Sequence, residues 1–275
     1  MGPRVSAAAG PVEHHEVLQP GPAEALAGLL DVRLPDLGEG LPLGWHWLYL
    51  LERPRQSDLG EDGHPVRNAV LTPPGPGRRR MWAGGRVECT GRLVVGQEAV
   101  RRSQVVSSTD KEGRNGRLTV VAVEHLVLQR GEVVVRERQD VVYRDADPAA
   151  ALSPAGPVAP GAGERALEVT EPLLFRFSAL TYNAHRIHYD REYARSEGYP
   201  DLVTHGPLQA LAMAEAARAV GVQTAPGVRF DYRLVAPLFL PQGLVAGAAA
   251  DLDGVRTQVR DRGGRETARG TVTRG

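Results

Sequence analysis

The sequence predicts an α+β chain in which antiparallel sheet wraps a buried central helix, twice in tandem. Three observations carry this. Residues 85–143 hold four β-patterned segments joined by short turns, which argues a meander rather than helix-linked parallel strands. Residues 207–220 read as a helix with Leu208, Ala210, Leu211, Ala212, Met213, Ala214, Ala216 and Ala217 on every side, and a helix apolar all round is buried. An Ala/Pro/Gly-rich stretch, 146–165, divides the 275 residues into two halves with the composition of a linker.

Taken in order, residues 1–20 are rich in Ala, Gly, Pro and His and read as a disordered leader. The amino-terminal half, 21–145, opens with a short helix at 22–30 that has proline at its start. Residues 52–80 are loop-like. Strands follow at 85–90, 100–108, 118–129 and 132–143, and 118–128 is apolar on both faces, as a central strand would be. The carboxy-terminal half, 166–275, is expected to start with a strand at 173–178. A polar segment and the helix at 207–220 come next, then three or four strands. Segments 228–234 and 255–260 alternate apolar and polar, the mark of a half-buried strand. One buried helix inside an antiparallel sheet is the hotdog arrangement, and two β-rich halves make it a tandem hotdog.

Composition removes several chemistries. Formal net charge is zero, so no global field favours nucleic acid. Lys111 is the single lysine and sits in a turn-like stretch, which disfavours a Schiff base, and no P-loop Gly-Lys-Ser/Thr exists. No apolar run approaches the roughly 18 residues of a membrane span. Residues 1–20 show no secretory pattern. The one cysteine, Cys89, allows no internal disulfide and no multi-cysteine metal site. A reducing, cytoplasmic setting is the expectation.

Functional side chains crowd into 178–190, which contains Ser178, Tyr182, Asn183, His185, His188 and Asp190. Soon after come Thr204, His205, Gly206, Pro207 and Leu208, at the mouth of the buried helix. Pro207 suits the first turn, which leaves the Gly206 and Leu208 amides as free donors. A helix N-terminus attracts developing negative charge, and glycine lets a ligand oxygen come close. An imidazole and an amide beside such an oxyanion site suit proton transfer next to a carbonyl.

With these residues in place, the second half resembles the MaoC-type, hydratase-2 hotdog proteins. The whole chain resembles their two-hotdog branch with a divergent amino-terminal dehydratase-like half. That branch contains mesaconyl-C4-CoA hydratases, itaconyl-CoA hydratase-like proteins and mitochondrial type 2 3-hydroxyacyl-thioester dehydratases. The resembling stretches are 45–49, 60–65 (Gly-Glu-Asp-Gly-His-Pro), 79–85, 139–144, 175–190 and 205–209. The resemblance implies reversible addition of water to a 2-enoyl thioester, with no metal and no other cofactor. It places the catalytic histidine on His188, and on Gly206 the amide that holds the thioester oxygen. The family's catalytic aspartate falls on Asn183 and its asparagine on His185. An amide orients water but does not accept its proton, so either one proton-transfer role is unassigned or His188 performs both.

Each residue also has a plainer reading. Asn183 can cap a turn, Asp190 the following helix, and His205 can anchor the helix mouth. Glu215, on an apolar helix, needs a partner. Metal binding by His185, His188 and His205 is the lesser reading, without an HExxH or a cysteine pair. Arg79 and Arg80 are either solvated or hold CoA phosphates or a second carboxylate. With His185, Tyr182 and Leu208 they form the expected substrate-binding set. The amino-terminal half is expected to lack chemistry and to shape the pocket. The expected partner is an acyl-CoA, first a short dicarboxylic one, or an acyl carrier protein. A non-catalytic thioester-binding protein is the rival. Hotdog sheet edges suggest a homodimer.

Overall fold

The computed structural model describes residues 10–67, 70–71, 78–113, 116–144, 152 and 156–275. In chain order the elements are β1 (Val12–Val17), α1 (Pro20–Leu30), β2 (Arg79–Cys89), β3 (Glu98–Gly113), β4 (Gly116–Gln129), β5 (Glu132–Arg144), β6 (Glu164–Leu167), α2 (Glu171–Leu180), α3 (Arg191–Ser196), α4 (Gly206–Ala219), β7 (Val228–Leu234), β8 (Leu244–Asp251), β9 (Gly254–Arg260) and β10 (Glu266–Arg274). The strands form one ten-stranded sheet in the order β1-β3-β4-β5-β2-β7-β10-β9-β8-β6. The order is a palindrome of two five-strand runs. Each run has its first strand at the outer edge and its second at the centre. The two runs meet where β2 pairs antiparallel with β7, Gly84 opposite Arg233 and Gly85 opposite Tyr232.

That seam explains the adjacent glycines. A Cβ on Gly84 would lie 2.4 Å from the Tyr232 carbonyl oxygen, and one on Gly85 2.4 Å from that of Arg138. The neighbouring strands close in to distances no side chain permits. Bulging between Trp82 and Gly84 lets the register recover.

The apolar helix is where the sequence puts it. α4 packs on β8, β9, β10 and β2, with Leu208, Ala210, Leu211, Met213 and Ala217 at zero exposure. Its alanines bring the sheet close on several sides. Glu215 finds its partners: Trp45 Nε1 donates to Oε1 at 2.9 Å, and Arg218 pairs with Oε2 at 2.5 Å. Trp45, fully buried, thereby ties the amino-terminal half to the central helix. In that half the stretch between α1 and β2 holds 3-10 turns at Trp45–Leu48 and Gln56–Asp58. Among the described residues no second wrapped helix occurs there, so the symmetry is carried by the sheet.

The structure corrects three expectations. Residues 12–17 are not leader: β1 pairs with β3 over Val12–Val17, and Arg102 Nε donates to Glu13 at 2.6 Å. Composition cannot reveal a strand whose partner lies ninety residues away. Residues 173–178 lie in α2, not in a strand. Thr170 caps the helix by accepting from the Leu173 amide at 3.3 Å, and Leu173, Leu174 and Phe177 are buried at helical spacing. The expected linker ends early, because Glu164 and Arg165 already pair with Gly247 and Ala246. Its residues 146–151 and 153–155 lie outside the described residues, as do 1–9 of the expected leader.

Candidate active site

A cleft of about 1170 Å³ runs along the seam between the two halves, lined from one side by the 182–188 loop and from the other by residues of β2 and the 63–65 loop. α2 ends at Thr181, and Tyr182 takes a left-handed conformation (φ 51°) that turns the chain into the cleft. Asn183 then locks the turn, its Oδ1 accepting from the His185 amide at 2.9 Å. A 3-10 turn over Arg186–His188 buries Ile187 and swings His188 inward. Asp190 caps α3 by accepting from the Tyr193 amide at 3.0 Å, and pairs with Arg186 at 2.7 Å.

His188 Nδ1 donates to the Val203 carbonyl at 2.7 Å. That bond fixes the tautomer and leaves Nε2 as the lone pair. The ring is buried yet lines the cleft. Burial lowers its pKa to about 4, against a smaller upward pull from the Val203 bond. His205 stacks on it with centroids 3.6 Å apart, and shares a hydrogen bond with Ser178 Oγ at 2.9 Å. It precedes α4 and anchors the helix mouth. Gly206, next in the chain, lines the cleft, and a Cβ there would fall 2.4 Å from Leu234 Cδ1.

His185 meets His188 edge-on at 5.4 Å, and on its other side lies 4.0 Å from His64. His64 Nδ1 is 2.9 Å from Asp62 Oδ2, and its amide donates to Asp62 Oδ1 at 2.9 Å. Four imidazoles, His64, His185, His188 and His205, thus form one row from the amino-terminal half to the helix mouth. Burial lowers all four pKa values, those of His185 and His205 well below the usual imidazole range. At neutral pH the row is uncharged. Burial pushes Asp62 up, but its bonds from His64 and the charge of Arg80 outweigh this and leave it below the ordinary carboxylate value.

Of the substrate-binding set, Tyr182 stands 57% exposed at the rim, and His185 lies within the row. Arg80 lines the cleft and has no ion pair or hydrogen bond among the described residues, and its charge reaches Asp62, His64 and His185. Arg79 also borders the cleft, but its Nε is paired with Glu197 at 2.6 Å, and its guanidinium lies over Tyr199. Leu208 does not reach the cleft. It is fully buried in the core on the inner face of α4. At about 100° per residue, Leu208 lies on the other side of α4 from Gly206, which lines the cleft.

The sequence puts Asp62 and His64 in a Gly/Pro loop that could cover the cleft but gives them no role there; the structure brings His64 into the cleft lining, with Asp62 behind it. Asp-Gly-His reads locally as a turn, and nothing within it names the loop it meets. One oxygen or nitrogen from each of Asp62, His64 and His185 lies within 4.8 Å of the others, close enough to share a cation. The carboxylate is, however, already taken by two hydrogen bonds from His64. Deeper in, the cleft is walled by Trp47, Trp82, Arg101 and Glu137. Glu137 is buried and held by His46 Nε2 and Trp47 Nε1, each at 2.9 Å.

Comparison with known proteins gives this geometry a context. Residues 44–240 match the family model for hydroxyacyl-thioester dehydratase type 2. The chain is 45% identical to mesaconyl-C4-CoA hydratase of Chloroflexus aurantiacus over 208 residues, 74% of this chain and 73% of that protein. Among solved structures, HtdX of Mycobacterium tuberculosis superposes with a TM-score of 0.68 at 17% identity, covering 96% of this chain and 100% of the other. A MaoC-like dehydratase of Phytophthora capsici gives 0.65 at 13% identity, covering 97% and 96%. At such identities the structures speak for the shared MaoC-like hotdog fold, while the family match and the Chloroflexus relative speak for descent. The chain belongs to the hydroxyacyl-thioester dehydratase type 2 family of MaoC-like hotdog hydro-lyases.

Proposed function

We propose that this hydro-lyase adds water reversibly to a short dicarboxylic 2-enoyl-CoA, of which mesaconyl-C4-CoA and itaconyl-CoA are the best candidates. The observation that carries the choice is Arg80. A guanidinium in no ion pair or hydrogen bond among the described residues, beside the histidine row, is the group a second carboxylate on the acyl chain would meet. The Chloroflexus relative, named for mesaconyl-C4-CoA, supports the same class. In this reading the Gly206 amide, at the start of α4, holds the thioester oxygen as it gains enolate charge. His188 Nε2 accepts a hydrogen bond from the attacking water. Asn183, its Oδ1 engaged by His185 N, offers its amide N–H groups to position that water. Proton transfer and enolate stabilisation ask for no metal or other cofactor.

A 3-hydroxyacyl carrier-protein substrate is the second reading. The cleft favours it by extending past Trp47 to Glu137, beyond what a short acyl group fills. A purely binding role would need no open space beside His188, and that space is open. A cytoplasmic setting is proposed from the single thiol, Cys89, buried and unpaired. A homodimer is proposed from the free sheet edges, β1 and β6.

The test is loss of the enoyl-thioester absorbance with mesaconyl-C4-CoA, itaconyl-CoA and crotonyl-CoA. Wild type is expected to consume a dicarboxylic substrate fastest, His188→Ala none, and Arg80→Gln to lose its preference over crotonyl-CoA. Equal rates on all three, unchanged by Arg80→Gln, would refute the dicarboxylic assignment.

A further inference from the structure

Adding water requires a group that takes a proton from it and a group that delivers one to Cα. His188 is a weak base for this. Burial holds it at a pKa of about 4, and its far nitrogen faces an uncharged carbonyl. Asn183 accepts no proton. Of the four imidazoles in the row, His64 is the one with a carboxylate at its far nitrogen, 2.9 Å away. Asp62 would stabilise the imidazolium that a base becomes, as the aspartate does in a Ser-His-Asp triad.

We propose that Asp62 and His64, brought in by the amino-terminal half, are the proton-transfer pair of this site. The inference rests on the hydration reading above. In the resting state His64 Nδ1–H donates to Asp62, so Nε2 carries the lone pair, and the ring lines the cleft. Water, held by His188 Nε2 and the Asn183 amide, gives a proton to His64 Nε2 while its oxygen bonds to Cβ. The double-bond electron pair moves toward Cα and the thioester oxygen, which the Gly206 amide holds. The His64 imidazolium then returns that proton to Cα. One O–H bond of water and the π bond break, C–O and C–H bonds form, and the site ends as it began. Dehydration is the same path reversed.

The loop is built to stay there. The Arg186 amide donates to the Asp62 carbonyl at 2.9 Å, and Arg186 Nη1 to that of Glu61 at 3.2 Å. Gly63, at φ 87°, comes so near that a Cβ would lie 1.9 Å from the Ala184 carbonyl oxygen. The Gly60 amide closes the loop on the His64 carbonyl at 2.8 Å. Thus the 60–65 loop and the 183–188 loop are one unit, and the amino-terminal half does not merely shape the pocket. The charged and titratable groups facing His64 are Asp62 on its own loop, Arg80 on β2, and His185 and His188 on the opposite loop.

The experiment uses the full chain and the enoyl thioester that wild type hydrates fastest. His64→Gln is expected to lower kcat by ~100-fold or more, with KM and the affinity for saturated butyryl-CoA little changed. Asp62→Asn is expected to lower kcat and to move the acid limb of kcat/KM to lower pH, because the carboxylate that raises His64 is gone. Imidazole added to His64→Ala is expected to restore part of the rate, which a structural role would not allow. Rate loss on chelation, restored by a divalent cation, would overturn the proposal in favour of a metal site. Should either substituted protein fail to fold, imidazole rescue of His64→Ala decides, and its absence overturns the pair. Full kcat in both folded variants overturns it too, and leaves His188 with both transfers. If wild type turns over no enoyl thioester, the hydration reading fails first and this inference falls with it.

Discussion

The row of imidazoles has a consistent electrostatic character: His185, His188 and His205 are buried and His64 partly so, and the charge facing His64 and His185 from outside the row is that of Arg80, with Asp62 at His64. Such a row stays neutral and passes protons only where a carboxylate waits, at Asp62. Gly63 sets the contact between the two loops, and its replacement separates two effects. Gly63→Ala forces both a left-handed backbone and a clash with Ala184. Gly96 has a similar φ, 85°, with nothing within 4 Å of a Cβ. Gly96→Ala is expected to cost about 1 kcal/mol in denaturant melts with activity kept. Gly63→Ala is expected to cost about 2 kcal/mol or more and to lose activity. Equal effects at the two sites would show that the loop contact does not matter. That His188 and Gly206 line the cleft was legible from local order: a histidine in a polar loop and a glycine before a proline at a helix mouth. The place of Asp62 was not, since it is set by a backbone contact across 120 residues.

Elements were legible where the pattern was long. α4 could be read from its all-round apolar surface and β7 from unbroken alternation, but 173–178 was too short an apolar run to tell helix from strand. What decides there is the cap. Thr170→Ala is expected to cost about 1 kcal/mol, measured as a shift of the denaturant midpoint, while hydration continues. No shift would mean that packing of Leu174 and Phe177 alone holds α2. The β2–β7 seam is a stricter case. Gly85→Val drives a side chain into the Arg138 carbonyl and the Tyr232 ring, so the two sheet halves should part or the protein fail to fold. A stable, active Gly85→Val would contradict the seam geometry.

The ten-stranded sheet makes the two halves one molecule, and the cleft lies where they meet. The tandem arrangement was legible in the β-rich halves. That the described residues of the amino-terminal half hold no second wrapped helix was not, although the stretch before β2 is loop-like in composition. At this scale the buried histidines also set the pH dependence of stability. Their folded pKa values lie below the unfolded value of 6.5. The stability they confer is complete above pH 6.5 and is lost as pH falls toward and through the folded values. His188 alone, at about 4, accounts for roughly 3 kcal/mol of this. Thermal midpoints should therefore fall steadily from pH 7 to pH 4.5, and His188→Gln should flatten that slope. The central claim is that the cleft adds water to a carbon–carbon double bond. The most direct measurement is mass spectrometry of the thioester after incubation of mesaconyl-C4-CoA with the protein in heavy-oxygen water. The account predicts one water added, its label in a new hydroxyl group, CoA still attached, and no such product with His188→Ala. Free CoA with label in a carboxylate would show attack at the thioester carbonyl and contradict the account.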